Sequence, residues 1–165
     1  MGVRSPRAAK AVAVSAQFLG EMVLPGMASS VPLARHFVGH ALATAGHQGV
    51  DGVRLVTSEL ATNAVVHSQS GWPGGLIAVE VTSIDSGLAR IEVTDEGGTT
   101  FPRPREADDG ECHGRGLRLV DQMAQRWGVR LNARGWKTVW AEVLTTEDAP
   151  IGLLDAASYL EEMPQ

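Results

Sequence analysis

The chain has 165 residues, enough for one domain and too few for two ordinary ones. At 44% hydrophobic and 20% charged it has the composition of a globular protein, and a domain of this size buries roughly 70% of its unfolded surface. A net charge of −5 with no Lys/Arg run argues against a nucleic-acid backbone binder, no apolar run approaches the ~18 residues of a membrane span, and a lone Cys112 excludes an internal disulfide.

Residues 1–9 read as a flexible tail and Lys10–Phe18 as a first strand. Arg4, Arg7 and Lys10 ahead of Ala11–Leu19 loosely imitate an export signal, but Gln17, Gly20 and Glu21 break it, so a cytoplasmic location is expected. Ser29-Ser30-Val31-Pro32 is a helix start, with a serine cap and proline in the first turn, and Gly46 closes that helix. Asp51 opens a second helix running to about His67, in which Val53, Val56, Leu60 and Ala64 recur at spacings of three and four.

Gly71-Trp72-Pro73-Gly74-Gly75 predicts a turn, Leu76–Thr82 a strand, Asp85-Ser86-Gly87 a hairpin turn and Leu88–Asp95 its partner strand. Residues 97–114 carry four glycines and two prolines without periodicity; a loop of that length in a compact domain reads as a functional lid. Arg115–Arg126 is helical in pattern, with Leu117, Val120 and Met123 on one side. Trp127–Leu131 and Thr138–Leu144 read as strands around an Asn132-Ala133-Arg134-Gly135 turn. Residues 145–165 form a tail whose Leu153, Leu154, Ala157 and Leu160 suggest a short helix. The expected fold class is therefore an α+β two-layer sandwich, with a mixed, mostly antiparallel sheet and helices on one face.

Three places carry candidate chemistry. Glu59 and Asn63 lie four apart on one helix face, beside the apolar stripe, where a cleft would open. An asparagine carbonyl can ligate magnesium, and a neighbouring glutamate can orient or deprotonate an attacking hydroxyl. Asp95 ends an apolar strand and is followed by Gly97 and Gly98, an acceptor with room for close approach. Gly114-Arg115-Gly116-Leu117 precedes a helix, whose free N–H groups and dipole favour phosphate, with Arg115 adding charge. Each has a plainer reading: a solvated helix face, an ordinary Asp-Gly turn, a flexible loop.

Other candidates are weaker. Gly135-Trp136-Lys137-Thr138 lacks the first P-loop glycine, and Trp136 splits the Gly-Lys pair, so a strand start is the better reading. His36 and His40 have no supporting metal cluster. Cys112-His113 has no evident third partner, and Ser68 and Ser70 lack a triad context.

Taken in order, these motifs resemble the GHKL (Bergerat-fold) ATPases, the family of gyrase and the histidine kinases. They are most similar to the bacterial anti-sigma-factor serine kinases. Glu59–Asn63 looks like the N box, Asp95-Glu96-Gly97 like the first glycine box and Gly114–Leu117 like the second; Ser30–Arg35, Arg126–Val129 and Gly135–Trp140 also match, over about residues 10–144. The resemblance implies an ATP-binding domain with a glycine-rich lid. In it Asn63 holds Mg2+, Glu59 is the catalytic base, and Asp95 takes the adenine amino group with Gly97 shaping the pocket. Gly114, Arg115, Gly116 and Leu117 form the phosphate-facing lid and Thr138 joins the network around adenine. It further implies a protein serine kinase acting in transcription regulation on an anti-anti-sigma (STAS-type) protein, with a sigma factor as the other partner, and a homodimer. No histidine-bearing helix pair precedes the motifs, so a complete sensor kinase is not expected. The alternative is a non-catalytic, ATP-dependent binding module.

Overall fold

The computed structural model describes residues 15–98 and 115–147. The expected N-terminal tail, most of the lid and the C-terminal helix lie outside the described residues. Within them the order is β1 (Gln17–Pro25), α1 (Ser30–Thr44), α2 (Asp51–His67), a 3-10 turn (Gln69–Gly71), β2 (Leu76–Asp85), β3 (Leu88–Asp95), α3 (Arg115–Met123), β4 (Ala124–Leu131) and β5 (Lys137–Leu144). The sheet order is β1-β2-β3-β5-β4, and every pairing is antiparallel. The expected α+β sandwich is thus the observed architecture, with a sheet that is wholly antiparallel among the described residues rather than mixed.

Strand alternation builds the core. Ile77, Val79 and Val81 of β2, Ala89, Ile91 and Val93 of β3, and Val139, Ala141 and Val143 of β5 all point to one face and are buried. Ala34, Val38 and Leu42 of α1 and Val53, Val56, Leu60, Ala61 and Ala64 of α2 cover them, and Val120 of α3 closes one side. At roughly 25 cal/mol per Å² of apolar area removed from water, this shared layer is the main stabilising term.

The opposite face carries charge instead. Glu142 is buried there, receiving hydrogen bonds from Arg90 Nη1 at 3.2 Å and Arg126 Nη2 at 2.6 Å. Arg90 also donates to Glu92 at 2.7 Å and stacks 4.1 Å over the Trp140 ring. Polar and cationic groups therefore stand in for a second helical layer.

Two elements differ from expectation. The first strand is Gln17–Pro25, seven residues later than the Lys10–Phe18 pattern suggests. Gly20 does not end it, because a register shift between Phe18 and Gly20 absorbs the irregularity, and Pro25 is tolerated at the end of an edge strand. Helix α3 stops at Met123 rather than Arg126, because Ala124 and Arg126 pair with Val143 and Glu142 of β5. Sheet hydrogen bonds there override a helical periodicity that would have continued.

Helix α1 closes through Gly46 at φ +94°, with its N–H donating to Ala43 O and the His47 N–H donating to Leu42 O. A left-handed residue after the last turn is what a side chain would resist. His47 is thereby placed in the interior, its Nδ1 2.5 Å from Thr145 Oγ1 and its Nε2 2.8 Å from Ser83 Oγ. Burial pushes its pKa below the usual histidine range, and Asp85 opposes this only in part. The unfolded ring titrates near 6.5 and the folded ring lower, so the unfolded state binds more protons between the two. Stability is expected to be constant above about pH 6.5 and to fall as pH drops below it. Urea midpoints measured from pH 7.5 to 5 should show this slope, and His47→Gln should flatten it; an equal slope in the variant would assign the effect elsewhere.

Candidate functional site

Helix α2 lies across the inner face of the sheet, packed on β2, β3 and β5, and α3 packs beside it. Its N-terminal Gly52 is close to Val143 near the end of β5, and its C-terminal His67 and Ser68 are close to Gly98 just past β3. The C-terminal half of α2, the end of β3, the start of β5 and the start of α3 therefore converge at one end of the sandwich.

On α2, Leu60 and Ala64 are buried, and Glu59 and Asn63 are half-buried beside them. Burial pushes the Glu59 carboxyl above the ordinary glutamate range. Neither Glu59 nor Asn63 has a hydrogen-bond or ion-pair partner among the described residues, whereas Ser58 on the adjoining face accepts from Arg35 at 3.2 Å. A partly desolvated carboxylate of this kind is chemically able to exchange a proton with a bound group.

Asp95 is 2% exposed at the end of β3. Its Oδ1 accepts the Gly97 N–H at 2.8 Å, and its Oδ2 lies 3.3 Å from Lys137 Nζ. Burial pushes the Asp95 carboxyl up; the Lys137 ammonium, foremost, and the Gly97 N–H pull it back toward the charged form. The loop after Asp95 is held firmly. Glu96 N–H donates to Ser70 Oγ at 2.8 Å, Gln69 N–H donates to Gly97 O at 2.8 Å, and Ser68 OH donates to Ala64 O at 2.6 Å. Ser68 and Ser70 thus tie the end of α2 to the Asp95 loop. Gly97 itself has φ +78°, and a Cβ there would stand 2.1 Å from Gly135 O. Only glycine allows that close approach.

The sequence-predicted residues do not all meet. Arg115, Gly116 and Leu117 open α3, with Leu117 buried, and Gly114 lies outside the described residues. Thr138 is the departure. Its hydroxyl is 2.8 Å from Thr94 Oγ1, its register partner, on the charged outer face of the sheet, and not beside Asp95. Side chains alternate along a strand, so a shift of one residue changes the face. The residue on Asp95's face is Lys137, 5% exposed, which the sequence reading set aside with the failed P-loop match. The signal was present: Val139, Ala141 and Val143 fix odd positions of β5 as inward, which turns Lys137 inward too.

His36 and His40 stack with ring centroids 6.2 Å apart and are both exposed, and the described residues contain no group of three or more His, Cys, Asp or Glu able to hold a metal alone. A magnesium ion, which needs few protein oxygens when phosphates supply the rest, fits this donor set better than a zinc ion would. A separate cavity of about 220 Å³ lies at the other end of α2, lined by Asp51, Gly52, Met123, Val143 and Thr146. The 17 residues of α2 span ~25 Å, so this cavity lies at the opposite end of the helix from the Asp95 loop, with Glu59 about midway between them.

No helix among the described residues is long and apolar enough to cross a membrane. Among curated proteins no match was found. The chain is similar to a solved structure described as the RsbU and RsbW domains of Rv1364c from Mycobacterium tuberculosis, at 18% identity and a TM-score of 0.49. The similarity covers 76% of this chain and 31% of that one. Residues 24–141, from the end of β1 through the middle of β5, match the model of the histidine kinase-like ATPase domain, and the chain belongs to that family.

Proposed function

We propose that this chain is an ATP-binding protein serine kinase of the anti-sigma-factor type, which regulates transcription by phosphorylating an anti-anti-sigma protein of STAS type and switching partners. The observation that carries the reading is the pair Glu59 and Asn63: half-buried, side by side on α2, and free of structural partners among the described residues. Family membership supports nucleotide use. The oxygen of Asn63 would hold Mg2+, which when bound supplies charge to the phosphates. Asp95 offers a buried acceptor to a base amino group, and the first turn of α3 offers N–H groups to phosphate. Glu59 orients the partner's serine hydroxyl and accepts its proton. A homodimer, with a sigma factor as the alternative partner, completes the proposal.

Calorimetric titration with ATP, with and without Mg2+, tests the pocket. Incubating the protein with ATP and a STAS protein recovered by pull-down, then locating phosphoserine by mass spectrometry, tests the chemistry. The expected result is magnesium-dependent binding followed by stoichiometric phosphorylation. Binding without transfer to any recovered partner would leave a nucleotide-tuned binding module. Absence of binding would remove the nucleotide reading itself.

A further inference from the structure

The end of the sheet beside Asp95 holds a group that the proposed chemistry does not use. Lys137 reaches the inner face at the start of β5, beside its register partner Asp95, with 5% of its surface exposed. An ammonium has three donors. One is directed at Asp95 Oδ2, 3.3 Å away, and Asp95 is its polar partner among the described residues. Asp95 in turn has one oxygen engaged by Gly97 N–H and the other by Lys137. The end of the sheet therefore places an acceptor and a cationic donor side by side.

A buried ion pair is a poor device for stability alone, since apolar residues of similar volume serve as well or better. It is a good device for reading a heteroaromatic edge. A purine bearing an exocyclic amino group has a donor at that group and an acceptor at the ring nitrogen on either side of it. Asp95 matches the amino group, and Lys137 matches the adjoining ring nitrogen. We propose that Lys137 is a base-reading residue, donating a hydrogen bond to a ring nitrogen beside the amino group that Asp95 accepts. The proposal rests on the nucleotide reading above and adds to it a second point of recognition. It also accounts for the isolation of Lys137 from the charged network on the outer face, where Arg90, Arg126 and Arg130 are all paired with Glu92 or Glu142.

The test uses the full chain and three nucleotides: ATP, 1-deaza-ATP and 7-deaza-ATP, each of the last two lacking one ring nitrogen. A hydrogen bond to a charged group is lost with the nitrogen, so one analogue is expected to bind roughly ten- to a hundredfold more weakly than ATP. In Lys137→Met the same analogue should bind within about threefold of ATP, since nothing remains to distinguish them. A merely structural lysine would change overall affinity or folding without changing that ratio. Equal binding of all three nucleotides by the wild-type chain would overturn the proposal and leave the ATP reading intact. Undiminished discrimination in Lys137→Met would assign the contact to another group and also overturn it. No binding of any of the three by the wild-type chain would remove the nucleotide reading, and this proposal with it. Equal binding of the three nucleotides by the wild-type chain would overturn the proposal even if the methionine variant does not fold.

Discussion

Glu59→Gln is expected to lower phosphotransfer to the partner's serine by about 10²–10⁴-fold, the usual contribution of a positioned general base. ATP affinity should stay within about threefold of wild type, because the substitution is isosteric and Glu59 is not placed against the base or the phosphates. Leu60 and Ala64 pin one side of the helix into the core, which leaves Glu59 half-buried beside them, without an ion-pair partner among the described residues. Burial raises its pKa, which strengthens the carboxylate as a base. The acid limb of the pH–rate profile should accordingly sit above that of an ordinary glutamate and disappear in the variant. Single-turnover measurement of phosphoserine formation separates the two effects, since a loss confined to the chemical step leaves binding unchanged. Unchanged transfer in Glu59→Gln would sink the role assigned to this residue.

The parts of the fold that were legible are those where one local signal agrees with its neighbour. The β2–β3 hairpin shows this: period-two apolar alternation in both strands is joined by Asp85-Ser86-Gly87, and Asp85 Oδ1 accepts the Gly87 N–H at 2.7 Å. The spacing of Val53, Val56, Leu60 and Ala64 likewise reported the buried side of α2, and so the edge on which Glu59 and Asn63 stand. What was not legible depended on pairing between distant segments. Gly20 looks like a breaker until β2 is there to receive the bulge, and Ala124–Arg126 looks helical until β5 offers hydrogen bonds. The same holds at the site. Thr138 and Lys137 are adjacent in sequence, and only the register against β3 decides which one shares a face with Asp95.

Asp95→Ala is expected to cost about 3–5 kcal/mol of folding stability, the penalty for stranding a buried charge without its partner. Lys137 is 6% exposed at its side chain and has its counter-charge 3.3 Å away, so solvent cannot take over the role of Asp95. The Gly97 N–H loses its acceptor as well, which loosens a loop otherwise held by Ser70 and Gln69. Denaturant unfolding of the variant should show the loss directly. Stability and recognition can then be separated with Asp95→Asn combined with Lys137→Met. That pair removes both charges while keeping the volume and the oxygen that faces Gly97, and replacing a buried ion pair by neutral groups is commonly neutral or stabilising. Most of the lost stability should return in the double variant, whereas nucleotide affinity should not, because neither the anionic acceptor nor the cationic donor is restored. If the double variant bound ATP as the wild-type chain does, the Asp95–Lys137 pair would be a structural feature of the sheet end and not the floor of a base pocket. A single Asp95→Ala variant stable to within 1 kcal/mol of wild type would show instead that the ammonium finds water or another acceptor.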